Sequence, residues 1–476
     1  MGLATRGRVR FHLDDRHPIG GSHHQKIVVV DDRVAFSGGL DITACRWDTP
    51  EHAPDDPRRE DPGFGRYGPF HDVQMAVEGE AARTLGEIVR ERWRLAVGRD
   101  LPAPDDGADV WPPGLEADFT DVTVGIARTA PDPGGGEGVR EVEAQYEAAF
   151  RAARHSIYIE NQYFSATRLS RVLAERLAER DGPEVVLVLP ASSGGWLEEA
   201  TMGVRRTRLL RELRDADGAG RLRVLTPRVP GVAGEDFTVH AKLLVVDDVL
   251  LRVGSANLSN RSMGLDSECD LTIESENDPA LAGRIRAVRD RLLAEHLGRT
   301  PEEVAAALES EGSLVSGLDA LRGQGRTLVD LPIPDHPTGW LDATLSRSEM
   351  LDPERPMPIE TWLREQPESE ETEAARSVAR RLAVTSVVVA ALAATIRWSR
   401  PDDLLVPDTI ASIQQWLVAV PWVLPAAALL AAVCSLVLVP LSAVGLVYGV
   451  LLPPWTAVVA LVIGAVASVP VGYWVG

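Results

Sequence analysis

His23-His24-Gln25-Lys26-Ile27-Val28-Val29-Val30-Asp31 and His240-Ala241-Lys242-Leu243-Leu244-Val245-Val246-Asp247 carry one pattern, His-x-Lys followed by four residues and Asp. The likeness continues downstream, where Gly38-Gly39-Leu40-Asp41 answers Gly254-Ser255-Ala256-Asn257. The offset between copies is the same at His24/His240, at Gly38/Gly254 and at Asp41/Asn257. A repeat that holds register over both stretches implies two copies of one structural unit. Lys26 and Lys242 are also the only lysines in the chain; every other cation among the 49 Lys+Arg is arginine.

The local pattern predicts a site. Ile27 to Val30 and Leu243 to Val246 are short apolar runs, each followed by Asp-Asp, and read as buried strands ending in turns. His24/Lys26 and His240/Lys242 are two apart, so on a strand each imidazole shares a face with an ammonium. Ser37-Gly38-Gly39 and Gly254-Ser255 would let backbone approach a phosphate. A metal is disfavoured, because each copy offers one His and one Asp with a lysine between them. Asp31 and Asp247 lie five residues beyond the lysines, and that odd spacing turns them toward bracing a turn.

The rest of the chain bounds the function. It has 476 residues, a net charge of −21 and 45% hydrophobic residues, enough for two or three folded domains. Its three cysteines are too few and too far apart for a disulfide framework. The acidity argues against a nucleic-acid partner.

From about Arg8 to about Leu297 the chain resembles the phospholipase D superfamily. The resemblance rests on the two His-x-Lys-x4-Asp motifs, Gly38-Gly39-Leu40-Asp41, Phe70-His71-Asp72-Val73, Ile159-Glu160-Asn161-Gln162-Tyr163-Phe164, Gly254-Ser255-Ala256-Asn257 and Asn260-Arg261-Ser262. It implies one active site built from both motifs and phosphodiester transfer through a covalent phosphohistidine. The candidate catalytic set is then His24, Lys26, Asp31, His240, Lys242 and Asp247. His24 is the implied nucleophile and His240 the implied general acid, an order that the near-symmetry of the repeat leaves open in the residues themselves. Lys26 and Lys242 would hold the non-bridging oxygens. Ser255 and Asn257 are the candidate substrate-binding residues, and Asp41 is given a structural role behind them. By family analogy, Asp72 and Glu268 orient His240 and His24 crosswise. The mechanism calls for no metal or cofactor.

The expected fold class is α/β, a two-repeat phospholipase D sandwich whose first repeat is incomplete, followed by an all-α transmembrane region. The expected domains are 1–98 (first repeat), 99–138 (inter-repeat loop, with a strand at Val122 to Ile126), 139–300 (second repeat), 301–380 (helical and linker segment, the linker from Asp330 to Glu373) and 381–476 (membrane region). The first half has twenty-three residues ahead of His24, whereas about a hundred, from Val139, precede His240. Truncation at the N-terminus, or an internal start at Met1, is therefore expected. After Asp408 no Asp, Glu, Lys, Arg or His occurs, which predicts membrane. Leu382 to Ile396, Trp416 to Val439 and Trp455 to Val475 are the expected spans, with Pro440 to Leu452 as a re-entrant piece. Pro440, Gly445, Gly449, Pro454, Gly464 and Gly472-Tyr473-Trp474-Val475-Gly476 make the tail similar to the N-terminal part of the DedA/VTT (SNARE-associated) family, itself expected to be cut short at the C-terminus.

Met1 to Gly20 is polar, with no signal-peptide pattern. Arg376, Arg380 and Arg381 precede the first apolar stretch, and Arg397 and Arg400 follow it. This predicts a multi-pass protein of the inner cell membrane with a cytoplasmic catalytic domain. The expected function is a membrane-tethered phospholipase D-like phosphodiesterase or phosphatidyltransferase, with phospholipid as substrate and the membrane as partner. The alternatives are a cardiolipin-synthase-like transferase and a lipid-handling membrane protein with a vestigial catalytic half.

Overall fold

Both apolar runs that follow the lysines are strands, but their settings differ. The computed structural model describes residues 9–18, 20–104, 111–133, 136, 138–192, 202–334, 352–355, 422–436, 452, 456 and 459–463. The chain divides into two compact units, Met1–Met357 and Pro358–Gly476.

In the first unit, Lys242–Val246 lies inside a nine-stranded mixed sheet, between Ser156–Asn161 and Leu250–Gly254. All five of its residues are buried. Alternate side chains serve opposite faces, as a strand requires. Leu244 and Val246 join the core beneath helices Glu141–Ala152, Thr167–Ala178 and Val204–Ala216. Leu243 and Val245 join the core beneath Pro279–Leu297, Pro301–Glu311 and Leu314–Leu321. The result is a sheet with helices on both faces. By contrast, Ile27–Val30 is the edge of a three-stranded sheet with Val34–Gly38 and Gln74–Glu78, and it is only half-buried. That small sheet and the helix Glu80–Val97 pack on Cys269 and Leu271 of the large one.

The repeated Asp-Asp pairs make the same turn twice. Asp31 and Asp32 have φ of 51° and 55°, and Asp247 and Asp248 have 53° and 57°. Arg33 N–H donates to Val30 and Val249 N–H to Val246. These are two-residue turns with both central residues left-handed, a conformation Asp tolerates better than most residues. They close the antiparallel pairs that begin at Ile27 and Leu243.

Two boundaries differ from the sequence expectation. The strand expected at Val122 to Ile126 runs from Gly125–Ala130, because Asp121 turns the chain at φ 54° and pairing with Glu268–Glu274 begins only at Gly125. The expected linker from Asp330 starts on the sheet: Thr327–Asp330 pairs with Leu222–Arg228, and Leu331 is buried. Further on, Asp352 is buried and accepts the N–H groups of Asn260 and Arg261, both at 3.0 Å. Residues 335–351 and 356–373 of that segment lie outside the described residues.

In the second unit Val423–Leu436 is a helix of 14 residues, about 21 Å long where a hydrocarbon core is about 30 Å. No helix among the described residues is long and apolar enough to cross a membrane. The expected span at Leu382 to Ile396 lies outside the described residues, as do all of the re-entrant piece but Leu452 and most of the span from Trp455 to Val475.

Candidate active site

The two histidines are each tethered by a carboxylate from the other half of the chain. His24 Nδ1 lies 2.9 and 3.0 Å from the carboxylate oxygens of Glu268. His240 Nδ1 lies 2.8 Å from Asp72 Oδ2. Backbone pairing enforces the crossing. His24 N–H donates to Ser267 O at 3.0 Å, next to Glu268, and His240 N–H to His71 O at 2.8 Å, next to Asp72. Gly39 permits the approach: a Cβ there would meet the Asp72 carboxylate and sit 2.8 Å from His240 O.

Each lysine folds back on its own motif. Lys26 Nζ donates to His24 O at 2.7 Å, and Lys242 Nζ to His240 O at 2.5 Å. Lys242 also donates to Gln162 Oε1 at 3.1 Å. Asp41 lies 3.4 Å from Lys26 and 3.8 Å from Arg46, so it balances charge beside the first lysine. The Lys26 side chain is 9% exposed and that of Lys242 0%. With His24 at 26% and His240 at 9%, the first motif is the more open one.

The structure gives partners or places to the remaining sequence-predicted residues. Ser255 Oγ donates to Glu268 Oε2 at 2.5 Å and accepts Cys269 N–H at 3.0 Å. It therefore clamps the carboxylate that holds His24. Asp247 accepts the N–H groups of Arg154, His155 and Ser156 at 2.7 to 2.8 Å. At five residues along a strand it is about 16 Å from Lys242. It and Asp31 sit in the turns at the far end of their strands, away from the lysines, as their odd spacing predicts. Asn257 is buried; its backbone N–H donates to Ser262 Oγ, and its Oδ1 has no hydrogen-bond partner among the described residues.

Residues 18–110 match the family described as phospholipase D, and residues 146–292 the family described as cardiolipin synthase, PLD-like domain. The chain carries phospholipase D superfamily domains. It is 28% identical over 361 residues to phospholipase D A of Dictyostelium discoideum, covering 60% of this chain and 28% of that protein. It is 27% identical over 402 residues to phospholipase D alpha 1 of Carica papaya, covering 58% and 49% respectively. The chain thus spans half or less of the length of these relatives. Among solved structures it is similar to phosphatidylserine synthase of Haemophilus influenzae (TM-score 0.39, 16% identity, 63% of this chain and 70% of that one). It is also similar to a phospholipase D family member from Salmonella typhimurium (TM-score 0.25, 21% identity, 34% and 88%).

The charges around the paired motifs prime the site for an anion. Burial lowers the His240 pKa to about 4, with Lys242 and Lys26 adding to the shift against the opposing pull of Asp72. Burial likewise lowers Lys242 to about 7, helped by the like charge of Lys26. A phosphodiester monoanion between the lysines supplies negative charge and raises both values. Binding must then take up protons, and by linkage affinity falls as pH rises above about 7 toward the raised pKa of Lys242. Titration calorimetry with dimethyl phosphate in buffers of different ionisation enthalpy is expected to show net proton uptake at pH 7. Affinity independent of pH between about 6 and 9 would contradict this.

Gln162 is the site residue that residue-by-residue reasoning passed over. It stands in the quoted Glu160-Asn161-Gln162 stretch, but only the pairing of Lys242 with Asn161 brings it to the lysine.

Proposed function

We propose that the chain is a phospholipase D-type enzyme that cleaves or exchanges the phosphodiester of a phospholipid headgroup through a covalent phosphohistidine. The observation that carries this reading is the crossed pair Glu268–His24 and Asp72–His240. Each carboxylate takes Nδ1, fixes the tautomer and leaves Nε2 as the reactive atom. In the first step His24 Nε2 attacks phosphorus and the bond to the headgroup oxygen breaks. His240 gives its Nε2 proton to the departing alkoxide. In the second step His240 takes a proton from water or an alcohol, whose oxygen attacks phosphorus and releases His24. Lys26 and Lys242 hold the non-bridging oxygens throughout. The order of the two histidines is the one the family resemblance implies.

Water gives hydrolysis; a lipid or polyol alcohol gives transfer. A cardiolipin-synthase-like transferase is the second reading, favoured by the match of residues 146–292. We further propose that the charge-free sequence after Asp408 tethers the enzyme to the inner cell membrane with its catalytic unit in the cytoplasm, which would concentrate the site at its substrate.

The test is a quench experiment. Phospholipid labelled at phosphorus is expected to leave acid-labile, base-stable label on the protein. Added glycerol or phosphatidylglycerol should divert product from phosphatidic acid to the transfer product. Absence of both labelled protein and alcohol-dependent partition would overturn the reading.

A further inference from the structure

Behind His240 lies a chain of buried acids and histidines that the chemistry above does not use. His71, 3% exposed, has a carboxylate at each ring nitrogen: Glu295 Oε1 is 2.7 Å from Nδ1 and Glu160 Oε2 is 2.5 Å from Nε2. Ionised carboxylates only accept hydrogen bonds, so both ring nitrogens must donate and the ring is an imidazolium. The chain continues outward. His52 bridges Glu295 Oε1 at 2.9 Å and Asp48 Oδ2 at 2.8 Å. Asp48 in turn pairs with the buried Arg59 at 3.0 Å and accepts Phe70 N–H at 2.8 Å. At the inner end Tyr158 Oη donates to Glu160 Oε1 at 2.5 Å, and His296 Nε2 lies 3.4 Å from the same oxygen.

The placement matters. Phe70 and His71 form the short strand beside Thr238–Val239, and their neighbours in sequence are the site residues Asp72 and His240. His71 O accepts His240 N–H, and the Phe70 ring lies 5.3 Å from the His240 ring. Residues 48, 52 and 71 come from the first repeat, whereas Glu160 and Glu295 come from a strand and a helix of the second.

We propose that His71, held as an imidazolium between Glu160 and Glu295, is a positioning residue that locks the Asp72–His240 pair of the first repeat onto the sheet of the second. The acids drive the ring to stay charged. His71 is raised well above the ordinary histidine pKa by Glu160 and Glu295, against the opposing effect of burial. Both carboxyls are depressed despite burial, Glu160 by His71 and His296, and Glu295 by its hydrogen bonds to His52 and His71. His296 is lowered, chiefly by burial. The sign follows. The His71 contribution is complete below the unfolded histidine pKa and is lost as pH rises through its raised folded value. The carboxyl contributions are present above the usual carboxylate range and are lost as pH falls through their depressed values.

The kinetic part of this inference rests on the phosphodiesterase reading; the protonation part does not. Nitrogen-15 NMR of the histidine-labelled full chain at about pH 8.5, roughly two units above the ordinary histidine value, is expected to show the His71 ring, assigned by the loss of its signals in His71→Gln, still doubly protonated. Glu295→Gln keeps the shape, removes one of the two acids and is expected to return that ring to the neutral form near neutral pH. The same variant is expected to lower kcat at least about tenfold, to leave KM within about twofold and to move the alkaline limb of the rate profile down in pH. A neutral His71 ring in the unmodified protein overturns the proposal. So does stoichiometric bound metal, which would replace the ring protons. So does a folded Glu295→Gln variant with unchanged kcat and pH profile. A protein without phosphodiesterase activity that still holds the charged ring would sink the functional reading while leaving the buried imidazolium in place.

Discussion

His24→Ala and His240→Ala are each expected to lower steady-state phosphodiester turnover by about four orders of magnitude or more, with the fold retained. The two losses should differ in kind. With an alkyl headgroup the departing oxygen needs a proton, so both variants are inactive. With a p-nitrophenyl phosphodiester the leaving group is stable as an anion and general-acid help is largely dispensable. His240→Ala should then still release one equivalent of p-nitrophenol in a burst and stall as the phosphoenzyme. His24→Ala has no nucleophile and should show no burst. Bursts of equal size would remove the division of roles. A burst in His24→Ala alone would reverse the order. Substantial steady-state activity in either variant would sink the two-histidine mechanism.

Glu268→Gln is the second large effect, expected at roughly two to four orders of magnitude in kcat. The substitution preserves volume and can keep a bond to Ser255, so the fold should hold. It removes the charge that stabilises His24 once the ring carries a phosphoryl group. It also permits the amide NH2 to face Nδ1, which favours the tautomer with its proton on Nε2, the atom that must attack. Glu268 is fully buried and its carboxylate also accepts from Ser255, so no water can take its place. Single-turnover phosphorylation measured by rapid quench is the check. A loss below about tenfold would mean that backbone pairing alone orients His24.

Much of this was legible in the sequence because the informative signals were local. The spacing of His24/Lys26 and His240/Lys242, the apolar runs and the Asp-Asp turns are set by neighbours within about ten residues. The strands Ile27–Val30 and Lys242–Val246 follow from them. Glu268 and Asp72 were reached by family analogy, since no local rule links them to histidines far away in sequence. The carboxylate partner of Ser255 was not legible for a physical reason. A hydroxyl after a glycine suits a phosphate and a carboxylate equally, and only packing places Glu268 within 2.5 Å. The chain through His71 was illegible, because it draws Asp48 and His52, Glu160 and Glu295 together from three separate segments. Asp352 was hidden inside a linker-like composition, although it holds the start of a helix by two backbone bonds.

The exchange of carboxylates between halves carries a consequence for how such a chain can change. A duplicated unit normally frees one copy to drift while the other keeps the old task. Here neither copy owns a complete apparatus: each histidine is useful only through an acid written in the other copy. Damage to one half is therefore felt at the ring in the other, and no single half can specialise or decay alone. The duplication binds the two copies into one inherited unit, so any new chemistry must be acquired by both together.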